Sequence, residues 1–407
     1  KEKHINEHMK YIETMHIQNK ITQSFRMIHF PEYDYDLSLD FEQKADVAIY
    51  VLARNSGEGT DRREIDGDVY LTKTEINNIL YLNKTYKKFL LVLNVGGVVD
   101  LSPVQEVSNI LLLSQLGIVT GDILADIILG KANPSGKLST TWAEPKDYNT
   151  MKNFGFLHTT KYEEGVYVGY RYFDSANVKP LYPFGYGLSY TEFSINKAYL
   201  EHDREKILVS VKVKNIGKYP GKEVVQIYVS PSQENVDKPY QSLVAFKKTP
   251  ELKPDEEIEF TIEFKLSQVA RYDPIRASYV LDKGNYVIRV GNCSRNTEAF
   301  GYIDLNQDVV TEQLKNINSH PGFEDYIPDI TKYPKDNYEE MQKLTLSKED
   351  FNVKTVLYNN YVTKIYDTVS KLTNSELAYL CVGGFTESIE ENNEKERGIN
   401  GLTTRKV

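Results

Sequence analysis

The sequence predicts an α/β domain with a parallel-rich sheet flanked by helices, then an all-β sandwich, then a mostly helical C-terminal segment. Three observations carry this. Short β-branched apolar runs alternate with helical patterns over the first third of the chain, as in βα units whose strands are covered on both faces. Between residues 206 and 305 the hydrophobic period becomes two, broken by turn signals at 215–217, 220–221 and 283–284, as in a two-sheet antiparallel sandwich. Beyond residue 304 the pattern thins and later resumes at helical spacing.

The elements follow in order. Residues 1–26 place Ile5, Met9, Ile12, Ile17 and Ile21 at roughly helical spacing. The run ADVAIYVLA (45–53) reads as a buried strand, and FLLVLNV (89–95) and NILLLS (109–114) as two more. Thr72 with Glu75 forms a capping-box pattern that opens a helix ahead of Ile76, Ile79 and Leu80. A second helix over 120–129 stops at Gly130, a C′ residue. Between about 143 and 193 tyrosine, glycine and proline dominate, and Pro183, Gly185 and Gly187 forbid a regular helix there. This stretch reads as a long aromatic connection that packs one domain on another. In the sandwich, Val209, Val211 and Val213 alternate with polar neighbours, and Ile258, Phe260, Ile262, Phe264 and Leu266 do the same. Val225, Ile227 and Val229, then Tyr286, Ile288 and Val290, repeat it. The expected division is 1–190 for the α/β domain, 191–305 for the sandwich, 306–345 for a linker and 346–407 for the final segment. In that segment helical periodicity is expected over 351–372 and 375–381.

Composition excludes several classes of function. The chain has 407 residues and a formal net charge of −9, a balance opposed to neutralising nucleic-acid phosphates. No apolar run reaches membrane-spanning length. Cys293 and Cys381 allow one disulfide at most, which excludes a disulfide scaffold. With no signal-peptide pattern and so few cysteines, the expected compartment is the cytoplasm, although the chain does not begin at an initiator methionine. Asn83 and Asn292 begin glycosylation sequons that matter only in a secreted eukaryotic protein.

One loop has a chemical look: RNSGEGTDRR, residues 54–63. Glu58 stands between Gly57 and Gly59, directly after the carboxyl end of a predicted strand, where sites form in open α/β sheets. Flanking glycines let the backbone turn and leave a carboxylate projecting. Asp61, Arg62 and Arg63 are neighbours able to tune or neutralise it, and an ordinary solvated turn is the other reading of the same residues. Gly96–Gly97, after the next strand, belongs to the same edge but is no phosphate loop. Ser56 lacks nucleophile-elbow spacing, and His4 and His8 lack a third metal ligand.

Four motifs in order carry a family resemblance: RNSGEGTDR (54–62), GDILADIILGKANPSGKLSTTW (121–142), YEEGVYVGYRYFD (162–174) and PLYPFGYGLSYTEF (180–193). Together they resemble the C-terminal half of glycoside hydrolase family 3 β-glucosidases. The segments VKNIGKYPGKEVVQIYVS (213–230) and GNYVIRVGNCSR (284–295) are similar to the fibronectin type III-like domain of those enzymes. The resemblance implies a retaining β-glycosidase that removes terminal β-D-glucosyl residues by double displacement, with Glu58 as general acid/base. It implies no metal or organic cofactor, and a β-glucoside or short β-linked oligosaccharide as substrate. The family's nucleophile is an aspartate of a barrel domain in a Ser-Asp-Trp context. The single tryptophan here, Trp142, lies in TTWAEP, so the chain alone is expected to lack the nucleophile. Residues 371–384 (KLTNSELAYLCVGG) resemble the lead-in to a family 3 barrel, which some members carry after the fibronectin-like domain. The expected partner is therefore such a barrel, in cis after Val407 or in trans, with no nucleic acid and no membrane. Other open readings are a non-catalytic carbohydrate- or protein-binding module, a β-xylosidase and an N-acetylglucosaminidase.

Overall fold

The computed structural model describes residues 45–54, 62–149, 160–232, 238–316, 322–329, 336–356 and 366–381, with Asn6, Lys10, Asp34 and Tyr333. Residues 1–354 form one compact unit and 355–407 a second. The expected helix over 1–26 lies outside the described residues, apart from Asn6 and Lys10, which are helical.

The α/β part holds a parallel sheet of β1 (Val47–Ala53), β2 (Lys88–Asn94) and β3 (Ile110–Leu112), in that order. Helix α1 (Lys73–Thr85) connects β1 to β2 and begins where the capping pattern predicted. The Thr72 hydroxyl accepts from the Glu75 amide, and the Glu75 carboxylate accepts from the Thr72 amide. Ile79 and Leu82 turn into a core with Leu52, Phe89, Leu91, Leu93, Val95 and Trp142. Helix α2 (Thr120–Ile128) ends as expected at Gly130. The Gly130 and Lys131 amides donate to Ile127 and Asp126, a Schellman closure with Gly130 at φ 69°.

Two expectations need correction here. β1 is an edge strand and is not buried, because Val47, Ile49 and Val51 on one face are exposed while Leu52 on the other is sealed. The stretch read as helix-free contains a short helix, α3 (Tyr170–Ser175), which is complete before Pro183, Gly185 and Gly187 are reached.

The sandwich packs a five-stranded sheet on a three-stranded one. The first has the order β14-β12-β11-β6-β7, built from Gln342–Leu346, Asn296–Leu305, Gly284–Cys293, Val224–Ser230 and Ser242–Lys248. The second runs β4-β5-β8, from Phe193–Asp203, Lys206–Asn215 and Glu257–Lys265. A further sheet aligns β9 (Arg271–Asp273), β10 (Ser278–Leu281) and β13 (Val309–Gln313). The period-two residues point inward as predicted: Ile207, Val209, Val211 and Val213 of β5 meet Val225, Ile227 and Val229 of β6 and Ile288 of β11 in one core.

Segment 306–345 is more than the linker it resembles in composition, since it supplies β13 and most of β14. Both are only five residues long, too short for an alternating apolar pattern to stand out from the polar sequence around them. Of the helix expected over 351–372, residues 357–365 lie outside the described residues; the described flanks hold a strand at Lys354–Thr355 and a single turn, α4 (Asp367–Ser370). Helix α5 (Asn374–Cys381) forms where expected, opened by Thr373 and Glu376 exchanging hydrogen bonds. No helix among the described residues is long and apolar enough to cross a membrane.

Candidate active-site edge

Parallel strands put all three carboxyl ends on one edge, at Ala53, Asn94 and Leu112. The chain leaves β1 into Arg54, whose amide donates to the Asn94 carbonyl at 3.2 Å and so extends the ladder by one bond. Glu58, the predicted acid/base, lies outside the described residues, as do Ser56, Asp61 and the rest of residues 55–61. The two ends of that loop, Arg54 and Arg62, are described in full.

Arg54 is almost completely buried and uses all five of its side-chain donors. Nε donates to the Asp68 carbonyl at 2.8 Å, Nη1 to the Ala53 carbonyl and to Glu75 Oε1, and Nη2 to Glu75 Oε2 and to the Tyr70 carbonyl. A buried guanidinium is tolerated when it is paired and fully hydrogen-bonded, and Glu75 meets it with the two-pronged geometry a carboxylate allows. The same Glu75 carboxylate caps α1, so one residue ties the loop's first foot to the helix start.

Arg62 forms the second foot. Its Nε donates to Asp68 Oδ1 at 2.8 Å, its Nη2 to the Asp68 carbonyl at 2.7 Å and its Nη1 to the Val98 carbonyl at 2.8 Å. The Arg63 amide takes the remaining carboxylate oxygen, Asp68 Oδ2, at 2.8 Å. Asp68 is fully buried and follows Gly67, whose φ of 80° turns the chain back. The Gly96–Gly97 turn lets these groups approach. A Cβ on Gly97 would sit 3.3 Å from Arg62 Nη1, and one on Gly96 would sit 2.8 Å from Gln115 Oε1.

Sequence reading offered Arg62 as a neighbour able to tune or neutralise Glu58; in the structure it is committed to Asp68 and Val98. Asp68 was missed altogether. Glu75 was seen only as a cap, since no spacing rule links it to Arg54 twenty-one positions earlier.

The aromatic connection packs as expected of a strap. The Tyr170 ring stacks on Phe184 at 4.6 Å and meets Tyr228 edge-on, while its hydroxyl accepts from the Leu243 amide of the sandwich. Asp174 is buried against Arg295 Nε at 2.6 Å and Gln241 Nε2 at 2.9 Å. Burial outweighs both partners and pushes its carboxyl up to about 6. Lys137 pairs with Glu223 at 2.7 Å, a further link from this region to the sandwich. Cys293 is buried, which pushes its thiol up and removes it as an activated nucleophile.

Residues 10–190 match the glycosyl hydrolase family 3 C-terminal domain, and residues 223–294 the fibronectin type III-like domain. Beta-glucosidase A of Butyrivibrio fibrisolvens is 36% identical over 340 residues, covering 71% of this chain and 41% of that protein. A beta-glucosidase of Ruminococcus albus is 34% identical over 282 residues, covering 67% of this chain and 30% of that protein. The chain thus spans less than half the length of these curated relatives. Among solved structures, beta-glucosidase 3B from Thermotoga neapolitana in complex with glycerol superposes with a TM-score of 0.63 at 34% identity, covering 76% of this chain and 44% of that one.

Proposed function

By its C-terminal and fibronectin type III-like domains the chain belongs to glycoside hydrolase family 3, and on that premise we propose that it is part of a retaining β-glucosidase with Glu58 as general acid/base. The observation that carries the reading is where the motif falls. In the sequence Glu58 lies midway between Arg54 and Arg62, two arginines held at the carboxyl edge of the parallel sheet, in the motif through which the chain resembles the family.

The chemistry is a double displacement on terminal β-D-glucosyl residues. A carboxylate of a family 3 barrel domain attacks the anomeric carbon as the Glu58 carboxylic acid protonates the departing oxygen. The Glu58 carboxylate then removes a proton from water, which attacks the same carbon and releases glucose and the nucleophile. Retention requires the two carboxyl groups about 5–5.5 Å apart. The nucleophile's negative charge and partial desolvation would hold Glu58 protonated at rest. In this reading residues 1–190 form the sheet-bearing domain and 191–305 the sandwich, extended by β13 and β14, and the sandwich is a packing module. Two free thiols, Cys293 and Cys381, support a reducing cytoplasmic setting.

The test is Glu58→Ala in the intact protein. It should lower kcat/KM for unactivated glucosides such as cellobiose by about 10²–10⁴-fold, the usual worth of a positioned acid. It should spare 2,4-dinitrophenyl glucoside, whose leaving group needs no proton, and azide should yield a β-glucosyl azide. Unchanged turnover of cellobiose would overturn the assignment.

A further inference from the structure

Helix α3 has six residues, well under the about 12–15 at which an isolated helix begins to hold itself in water, so its order comes from what surrounds it. Its N-cap, Gly169, offers no side chain to bond with. The sandwich supplies the partners instead. At the start of α3 the Tyr170 hydroxyl accepts from the Leu243 amide of β7, and at its end the Ser175 hydroxyl accepts from the Tyr240 amide at 2.9 Å. Asp174 accepts from Gln241 and is paired with Arg295.

Arg295, in the turn between β11 and β12, makes the closest fit. A helix leaves its last carbonyls without partners, and these attract cations. Asn177 turns the chain out of α3 at φ 52°, and the Val178 amide returns to the Phe173 carbonyl at 3.0 Å, one of the two bonds of a Schellman closure. Arg295 Nη2 donates to the same Phe173 carbonyl at 2.6 Å and to the Val178 carbonyl at 2.9 Å, while Nε pairs with Asp174 Oδ1 at 2.6 Å. One planar guanidinium therefore spans the helix end and the residues beyond it. The same face of the sandwich continues along the strap, where the Ser294 amide donates to the Phe184 carbonyl at 2.9 Å and Gln226 Nε2 to the Gly185 carbonyl at 3.2 Å. From its other side the strap pairs with the α/β part, Tyr182 with Trp142 and both Gly185 and Tyr186 with Leu138.

We propose that the sandwich is the template on which α3 folds, with Arg295 as the C-terminal cap that the helix's own neighbours do not provide. α3 is then a conditional helix. A cap within the strap would hold whether or not the sandwich had formed, but Arg295 follows Phe173 by 122 residues and reaches it only once β11 and β12 are paired. The strap takes its shape on the folded sandwich, and the α/β part receives it already shaped.

The test is amide hydrogen exchange of the intact protein, read over residues 170–178 and, for reference, over β5 and β6. Arg295→Ala should speed exchange at 170–178 by about 10–100-fold, because it leaves the buried Asp174 and two carbonyls without their partner, and should leave β5 and β6 as they were. Arg295→Lys retains the charge without the fork and should give a smaller acceleration over the same residues; it reads the effect if the alanine variant fails to fold. Arg276→Ala is the control, since that arginine pairs with Asp273 and Asp308 and should change nothing at 170–178. Unchanged protection at 170–178 in a folded Arg295 variant would overturn the template role. So would an equal loss at 170–178 and in β5 and β6, or an Arg276→Ala effect as large as that of Arg295→Ala.

Discussion

In the sandwich, the inward residues of β5, β6 and β11 are sealed between two sheets, with Ile207, Val209, Ile227 and Ile288 wholly buried. In the parallel sheet, Leu91 on the central strand is equally buried, yet the outer face of β1 leaves Val47, Ile49 and Val51 exposed. The sandwich meets its needs with its own strands. The parallel sheet is tied at its carboxyl edge by a set of charged hydrogen bonds on Asp68 and Glu75. The comparison teaches that apolar burial supplies the platform, whereas the geometry of that edge is set by directional polar contacts.

The sharpest way to break that comparison is a matched pair of cavities. Ile288→Ala should destabilise by about 4 kcal/mol and Leu91→Ala by about 2–3 kcal/mol, since a site near an open sheet face relaxes into the vacated space more readily. Urea unfolding of both variants measures the difference, and equal costs would mean the parallel sheet is as tightly enclosed as the sandwich.

The junction between the two regions gives a smaller, pH-dependent effect. Asp174 is held in the folded protein at about 6, above its ordinary 3.8, because burial disfavours its charge more than Arg295 and Gln241 favour it. The folded state therefore binds that proton more tightly than the unfolded chain. Its contribution is most favourable below pH about 4, declines by at most ~3 kcal/mol as pH rises towards 6, and is level above that. Asp174→Asn should remove this slope, as read from urea midpoints between pH 4 and pH 7. A wild-type slope that survives in the Asn variant would assign it to other groups. Smallest is the cap: Thr72→Ala should cost about 1 kcal/mol in a thermal melt, through one lost hydrogen bond at the start of α1.

Much of this was legible in the residues. The period-two runs located β5, β6, β8 and β11, and Thr72, Glu75 and Gly130 marked helix ends, because caps and alternation are local and leave their trace within a few positions. What escaped was non-local. Arg54 meets Asp68 and Glu75 fourteen and twenty-one residues away, and a partnership between charged groups has no periodicity to reveal it. β13 and β14 escaped because five residues are too few for an alternating pattern to stand out, and α3 because six are too few for a helical one.

The last strand of the sandwich has a practical bearing on where the molecule can be divided. β14 runs parallel to β12 and joins it along Gly301–Leu305, with Leu346 inserted in the core and the Gln342 side chain bonded to the Leu200 carbonyl. Parallel neighbours cannot be joined by a tight turn, so the chain travels well away from the sandwich in sequence before returning to complete it. A protease or a gene truncation acting after Leu305, where the alternating pattern fades, would leave β12 as a bare sheet edge with unpaired amides and carbonyls. Such a fragment would be expected to pair with its own copies and precipitate, whereas one ending after Phe351 would stay soluble.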